Sequence, residues 1–545
     1  MNTQVRTEWA YAVSQGVAQL AADTPTTFKE AMESPDKSQW LIAARKEFMS
    51  AVDMNTWVVI PRVSLPAGSN VITVKWVFKR KHDATGTPTE FKARMTPHGY
   101  KQIEGVDFFE TYAQVGMYKT LRVLLSLASH SDLELEQLDV PSAFLNADLD
   151  EEIYMELPEG FEQPGKVVRL IKALYGLKQG PRCWWLLISK FIREELGYDQ
   201  TVSDMCFYFK RSHTGRVMYL YLFVDDFQSA FHATDRLEWE ELKRKLVDEY
   251  RTKDLGMSVW MLGMRITRDR TRGTITLDQE TYVTKALGRF DLAECRTVST
   301  PEQIGMDEST SLNGELDCPT DQKYYMQIVG TLLYAVTSTR LDIAHAVQKL
   351  ASKVQSPVVR DLNAAKRVLR YLSGTRTIGL MFDGGKMTPG VVIEGYSDAD
   401  WANDRGDRKS ISGWVAKLNG CPVSWSAKKQ RTVSLSTCEA ELYALCEIVK
   451  EVLWLRGLMV EIGIDLKEPS VVHCDNQSTV AVSKNGVKSD RTKHIDVKYN
   501  FIVDTIASGQ VKSQWISTTD QQADLLTKPM AGAVFERLRN LLMTA

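Results

Sequence analysis

An apolar run, Val217-Met218-Tyr219-Leu220-Tyr221-Leu222-Phe223-Val224, ends in two adjacent acids, Asp225-Asp226, and a second short apolar stretch resumes at Phe227. That pattern predicts a β-hairpin whose turn is made of carboxylates. A two-residue turn chosen for local preference would favour Asn-Gly or Asp-Gly, because both central residues need positive φ. Asp-Asp between Val and Phe breaks that preference, and local rules are broken most often at functional sites. Two carboxylates held side by side suit a hard divalent cation such as Mg²⁺, which takes oxygen ligands.

The 545 residues are enough for three or four domains with ample core. A net charge of −2 argues mildly against a uniformly basic nucleic-acid surface, although clusters such as Lys366, Arg367, Arg370 and Lys428, Lys429, Arg431 stand out locally. Each basic cluster alone is more often a solvated face than a phosphate track. The eight cysteines show no Cys-x-x-Cys pair and no zinc-like Cys/His spacing, so reduced, mostly buried thiols are expected. No signal-peptide pattern opens the chain, and no apolar run approaches the roughly 18 residues of a membrane span. A soluble, intracellular protein without a membrane partner is expected.

Five regions are expected. Residues 1–25 form a polar leader, and 26–285 alternate short β-rich runs with helical patterns. A Thr/Ser/Gly/Pro-rich stretch at 296–320 reads as a linker within a region 286–388 that is otherwise largely helical. A last module spans 389–535, followed by a tail, 536–545. Within that module, Gly413 to Leu418 and Cys421 to Trp425 flank Asn419-Gly420, a hairpin signal. A helix from about Thr437 to Ile462 follows, with Ser436 and Glu439 spaced as a capping box. A strand at Val471 to Cys474, a helix at about Val497 to Ala507, a strand near Val511 to Ile516 and a final helix complete a mixed α/β module.

Asp139 closes the partly alternating segment Leu133 to Leu138. Alone it reads as a strand-terminal turn acid. With the Asp225-Asp226 hairpin it becomes a candidate for a shared site, because phosphoryl transfer through two metal ions roughly 4 Å apart draws carboxylates from separate elements.

Lys75-Trp76-Val77-Phe78-Lys79, Gln137-Leu138-Asp139-Val140, Ala143-Phe144-Leu145-Asn146 and Glu152-Ile153-Tyr154-Met155 occur in that order. Leu174-Tyr175-Gly176-Leu177-Lys178-Gln179, Pro181-Arg182 and Phe223-Val224-Asp225-Asp226 follow. Together they resemble the reverse transcriptase–ribonuclease H region of copia-type long-terminal-repeat retrotransposon polyproteins, over about residues 27–530. The resemblance implies an α+β, mixed α/β multidomain fold: a right-hand polymerase with fingers and palm (26–285) and thumb or connection (286–388), then a ribonuclease H-like domain (389–535). It implies Asp139, Asp225 and Asp226 as catalytic, metal-binding palm acids. Phe144 would lie beneath the incoming sugar, where it would clash with a ribose 2′-hydroxyl; its plainer reading is a core Phe. Tyr175 and Gly176 would form a nucleotide-contacting turn, and Lys92 and Arg94 would meet the triphosphate, against the plainer reading of solvated bases.

The C-terminal module resembles ribonuclease H, which implies Asp398, Glu441, Asp475 and Asp524 as catalytic metal ligands. Periodicity leaves Glu439 and Glu441 both open; the family register selects Glu441, and Glu439 has a local explanation as the capping acid. Four converging acids would repel unless metal neutralised them, so two Mg²⁺ per site are expected, with Mn²⁺ as a substitute. Arg491-Thr492-Lys493-His494-Ile495-Asp496 is a further family motif, in which His494 is given no catalytic role. Phe223 stands where Tyr is common, and Met95-Thr96-Pro97-His98 replaces a more basic run.

The implied partners are an RNA template, a DNA primer, an RNA–DNA hybrid and dNTPs, and beyond them integrase and capsid domains of the same element. The implied location is the cytoplasm, in a virus-like particle, with the nucleus as the alternative. Since no upstream polyprotein motif is present, the chain is expected to be the C-terminal part of a polyprotein, or a truncated gene product beginning inside one. The rival expectation is an inactive or domesticated relic that keeps the fold to bind nucleic acid or partners. Intact acids at all seven positions weigh against it.

Overall fold

The computed structural model describes residues 24–82, 88–304, 318–384, 390–402, 406–485 and 496–544. The expected leader and the motif around His494 lie almost wholly outside them, as does most of the expected linker. Among the described residues the strands form five sheets, combined with helices in a mixed α/β architecture.

The expected fingers region contains a long antiparallel pair, β1 (Val74–His82) and β2 (Pro88–Pro97), with Val77 opposite Arg94. Helix α1 (Tyr118–His130) leads into a six-stranded sheet, the expected palm. Its strands are β3 (Glu134–Asp139), β4 (Asp199–Gln200), β5 (Phe207–Arg211), β6 (Val217–Phe223), β7 (Asp226–Phe231) and β8 (Lys253–Met257), in spatial order β8-β3-β7-β6-β5-β4. All its pairings are antiparallel. Helix α2 (Gly180–Glu194) supplies Trp184 and Ile188 to the core under this sheet.

The C-terminal sheet is mixed. Its strands are β9 (Ile393–Asp400), β10 (Ile411–Leu418), β11 (Cys421–Lys429), β12 (Ser470–Cys474) and β13 (Val511–Trp515), in order β11-β10-β9-β12-β13. Strands β9, β10 and β11 pair antiparallel with one another, whereas β12 is parallel to both β9 and β13. Helix α3 (Thr437–Glu461) crosses this sheet. It packs so closely that a Cβ on Gly395 would lie 2.7 Å from the Ile448 side chain. Its apolar residues surround the axis, as expected of a helix buried on more than one side. The outer side reaches the palm, where Trp454 Nε1 donates to Ser203 O at 3.0 Å and Glu451 pairs with Lys119 at 2.9 Å.

Two expected boundaries fall inside helices. Residue 285 lies within Glu280–Arg289, and residue 535 within Gly532–Leu542, whose Phe535, Leu538 and Leu542 are buried, so no tail begins at 536. The join between palm and C-terminal module is equally continuous: Leu124 of α1, Leu332 and Val423 of β11 belong to one hydrophobic core. Arg122 is buried in it. Its guanidinium donates to the carbonyls of Val423 (2.7 Å), Thr337 (2.9 Å) and Ser338 (2.9 Å), and lies 4.1 Å from the centre of the Trp425 ring. Truncation would strand the buried carbonyls of Val423 and Ser338 and the partly buried one of Thr337. Arg122→Ala is therefore expected to cost about 3 kcal/mol or more in urea unfolding, with one transition that moves palm and C-terminal probes together.

Candidate active sites

The hairpin forms with a different turn from the one its acids suggest. Phe223 pairs with Asp226, so the two central residues are Val224 and Asp225, and Asp226 opens β7. Val224 carries φ +59°, a left-handed conformation that costs a β-branched residue on the order of 1–2 kcal/mol. Its surroundings hold it there. Trp184 Nε1 donates to Val224 O at 2.6 Å, and Val140 N donates to Asp225 O at 2.9 Å. The second bond joins the turn to the end of β3, where Asp139 stands directly opposite Asp226. Directly opposed residues share a face, so the three palm acids are assembled by strand register rather than by attraction.

Burial pushes the Asp226 carboxyl up to about 7, reinforced by Asp225 and Asp139. Asp225 is also raised by burial, against a hydrogen bond that Tyr175 Oη donates to its Oδ2 at 2.9 Å. The Tyr175 ring packs at a tilt against Phe144, with centroids 4.2 Å apart, and the Arg94 guanidinium lies 4.6 Å from its centre. Phe144 is buried and abuts the acids' neighbour Tyr175. Gly176 adopts φ +111°, and a Cβ there would lie 2.6 Å from Pro97 O, so the turn sits directly on the end of β2. Lys92 lies two residues before Arg94 on that strand, hence on the same face, with its ammonium 3.9 Å from Glu90. The sequence pattern did not single out Gln137, whose Nε2 is 3.4 Å from Asp226 Oδ1, or Glu47, a mostly buried carboxyl beside Arg94 and Lys92.

The C-terminal acids come from four elements. Asp398 lies in β9, Glu441 on the second turn of α3, Asp475 just past β12, and Asp524 in the short helix Gln522–Leu526. The parallel register of β9 and β12 sets Asp398 and Asp475 side by side. Oxygens of Asp398, Asp475 and Asp524 lie within 4.8 Å of one another, as do ligand atoms of Glu441, Cys474 and Asp475. Glu441 is buried and its Oε1 accepts from Ala399 N at 3.3 Å. Glu439 stays half-buried at the helix start, where its N–H is capped by Ser436 while its carboxylate reaches Leu435 N at 2.7 Å rather than closing the box on Ser436.

Burial raises all three shifted acids here. Glu441 is pushed up to about 10, with Asp398 and Asp475 adding to burial. Asp524 reaches about 7 through burial and Asp398, and Asp475 is raised for the same reasons. Two residues missed from the sequence temper this. Thr527 Oγ1 donates to Asp398 Oδ2, and Lys528 Nζ lies 2.8 Å from Asp524 and 3.7 Å from Asp398. Burial would lower the Lys528 ammonium, but the carboxylates outweigh it and leave it raised. Its i,i+4 spacing from Asp524 was the available signal. A dense set of hard oxygen donors, crowded until their own charge is disfavoured, fits a divalent cation. The palm set offers the same donor chemistry in a looser arrangement.

A family model described as reverse transcriptase (RNA-dependent DNA polymerase) matches residues 54–304. The chain is 39% identical over 528 residues to the retrovirus-related Pol polyprotein from transposon TNT 1-94 of Nicotiana tabacum, covering 95% of this chain and 39% of that one. It is 33% identical to the Pol polyprotein from transposon RE1 of Arabidopsis thaliana, covering 96% of this chain and 35% of that one. A putative transposon Ty5-1 protein of Saccharomyces cerevisiae is 32% identical over 321 residues, 58% of this chain and 100% of its own length. The chain thus spans well under half the length of the two Pol polyproteins. Among solved structures, LC11-RNase H1 aligns with 27% of this chain and 96% of its own at 16% identity and a TM-score of 0.21, too slight a likeness to carry an inference.

A carboxyl whose pKa is raised on folding binds protons more readily in the folded than in the unfolded chain. Stability of the metal-free protein therefore falls as pH rises from about 4 to about 7, the span over which Asp226 and Asp524 are shifted. Saturating Mg²⁺ should raise Tm more at pH 8 than at pH 5 by scanning calorimetry; equal shifts would contradict unneutralised acids. Lys528→Met should lower the metal-free Tm at pH 8 by roughly 2–4 °C, and less at pH 5.

Proposed function

Because the chain belongs to the copia-type, retrovirus-related Pol polyprotein family, we propose that it is an RNA-directed DNA polymerase with an appended ribonuclease H. It would copy retrotransposon RNA into DNA and hydrolyse the RNA strand of the resulting hybrid. The observation that carries this reading is the palm register: Asp139 faces Asp226 across adjacent strands, with Asp225 on the adjoining turn. The separate acid set at Asp398, Glu441, Asp475 and Asp524 favours an RNA template, since hybrid cleavage is useful only where hybrids arise.

Asp139, Asp225 and Asp226 would hold the ions of the polymerase site, and the four C-terminal acids those of the nuclease, as Mg²⁺ with Mn²⁺ as a substitute. Bound divalent ions would make the attacking primer hydroxyl or water more acidic and neutralise charge on the leaving group. Arg94, with Lys92 on the same strand face, would hold the anionic triphosphate. Phe144, buried against Tyr175, would close the space beside the sugar that a 2′-hydroxyl would need. In the nuclease, Thr527 orients the Asp398 carboxylate while Glu441 is held by the Ala399 amide. Integrase and capsid domains of the same element, and a virus-like particle in the cytoplasm with the nucleus as the alternative location, complete this reading.

Primer extension on poly(rA)/oligo(dT) with Mg²⁺ is the direct test, and a folded sample that incorporates nothing would favour the relic reading. Asp225→Asn should reduce DNA synthesis more than about a hundredfold, beyond the usual loss from an outer-shell partner, and leave hybrid cleavage intact. Asp524→Asn should do the reverse; equal loss of both activities in each variant would argue against two independent sites. Phe144→Ala should raise rNTP incorporation relative to dNTP by about tenfold or more, measured as a ratio of kcat/KM values.

A further inference from the structure

The palm acids differ from the C-terminal acids in how tightly they gather. Among the described residues, the groups of three or more ligand side chains drawn within 4.8 Å are both in the C-terminal module. In the palm, one oxygen that a cation would take is already engaged: Asp225 Oδ2 accepts the Tyr175 hydroxyl at 2.9 Å. The same ring is held on one side by Phe144 and on another by the Arg94 guanidinium. Next to it, Gly176 rests on Pro97, the last residue of the strand that carries Arg94. Arg94, Tyr175 and Asp225 therefore form one physical chain, from a base at the expected phosphate position to a carboxylate oxygen at the expected metal position.

We propose that the Tyr175 hydroxyl is a placeholder for the divalent cation at Asp225, released when an anionic polyphosphate pairs with Arg94. The inference rests on the polymerase reading above and adds an order to it, nucleotide before full metal occupancy. A hydroxyl proton and a hard cation draw on the same electron density of the carboxylate, so the bond from Tyr175 weakens cation binding at Oδ2 and its release strengthens it. Arg94 supplies the lever. A guanidinium held by a ring face is held weakly, whereas a charge-assisted, bidentate pair with phosphate is stronger, so phosphate draws it off the ring. The ring then loses one of its two clamps and can turn its hydroxyl away from Asp225. Tyr175 acts as a positioning residue in this scheme: it sets when the carboxylate becomes available and does not react itself.

The test uses the full chain carrying Asp475→Asn and Asp524→Asn, so that the palm dominates metal binding, with Mn²⁺ affinity measured by electron paramagnetic resonance without nucleotide. Tyr175→Phe, which keeps the ring and removes only the hydroxyl, should bind Mn²⁺ about tenfold more tightly. Unchanged or weaker binding would overturn the proposal. Asp225→Asn in the same background separates the two readings. If it leaves Mn²⁺ affinity at the parent value, the polymerase metal site itself is refuted; if it weakens binding while Tyr175→Phe has no effect, only the placeholder is. In primer extension with the otherwise unsubstituted chain, Tyr175→Phe should lower the Mg²⁺ concentration for half-maximal rate. A rise would show a merely structural tyrosine and would overturn the proposal.

Discussion

Carboxylates do not gather of their own accord. Moving one beside another in a half-dry pocket adds repulsion to the cost of lost hydration, and both terms push the group toward its neutral form. Asp226 and Glu441 bear that cost in their raised pKa values. The rest of the molecule can be understood as the scaffold that imposes it. In the palm the scaffold is strand register, a valine forced to positive φ, and two backbone anchors from Trp184 and Val140. In the C-terminal module it is a parallel strand pair, a helix drawn close over Gly395, and an internal ammonium at Lys528.

The two scaffolds meet the same constraint differently. The C-terminal set is tempered by a built-in cation and a threonine hydroxyl, so its oxygens can remain close together. The palm set is tempered by hydrogen bonding from Tyr175, with Gln137 nearby, and stays more open. These arrangements sit on one body. Helix α1, the helix containing Val336 and strand β11 share a core, Arg122 ties their carbonyls together, and Trp425 Nε1 returns a bond to Val336 O at 3.0 Å. A nucleic acid lying across both sites would therefore meet a fixed spacing rather than two tethered domains.

Much of this was legible along the chain because it is local. The Asn419-Gly420 hairpin, the helix from Thr437 to Glu461 and the strand ending at Cys474 all follow from turn chemistry, capping and apolar period. Boundaries within packed helices were not legible. Residue 285 and residue 535 fall where composition changes but helical hydrogen bonding continues, and hydrogen bonding defines the element. The choice between Glu439 and Glu441 could not come from periodicity either, because both flank the same stripe. Packing separates them: Glu441 is turned into the sheet against Ala399, and Glu439 is spent on the helix end.

By itself the sequence determined which residues could carry charge chemistry and which elements would hold them, since propensity and side-chain type act over a few residues. It also placed an acid pair at a chain reversal. Only the tertiary structure decided that the turn residues are Val224 and Asp225, that Asp226 faces Asp139, and that Tyr175 occupies an oxygen of Asp225. Those facts depend on register between strands far apart in the chain and on the packing of Trp184 beneath them. Register is set by the whole sheet, and no local pattern encodes it.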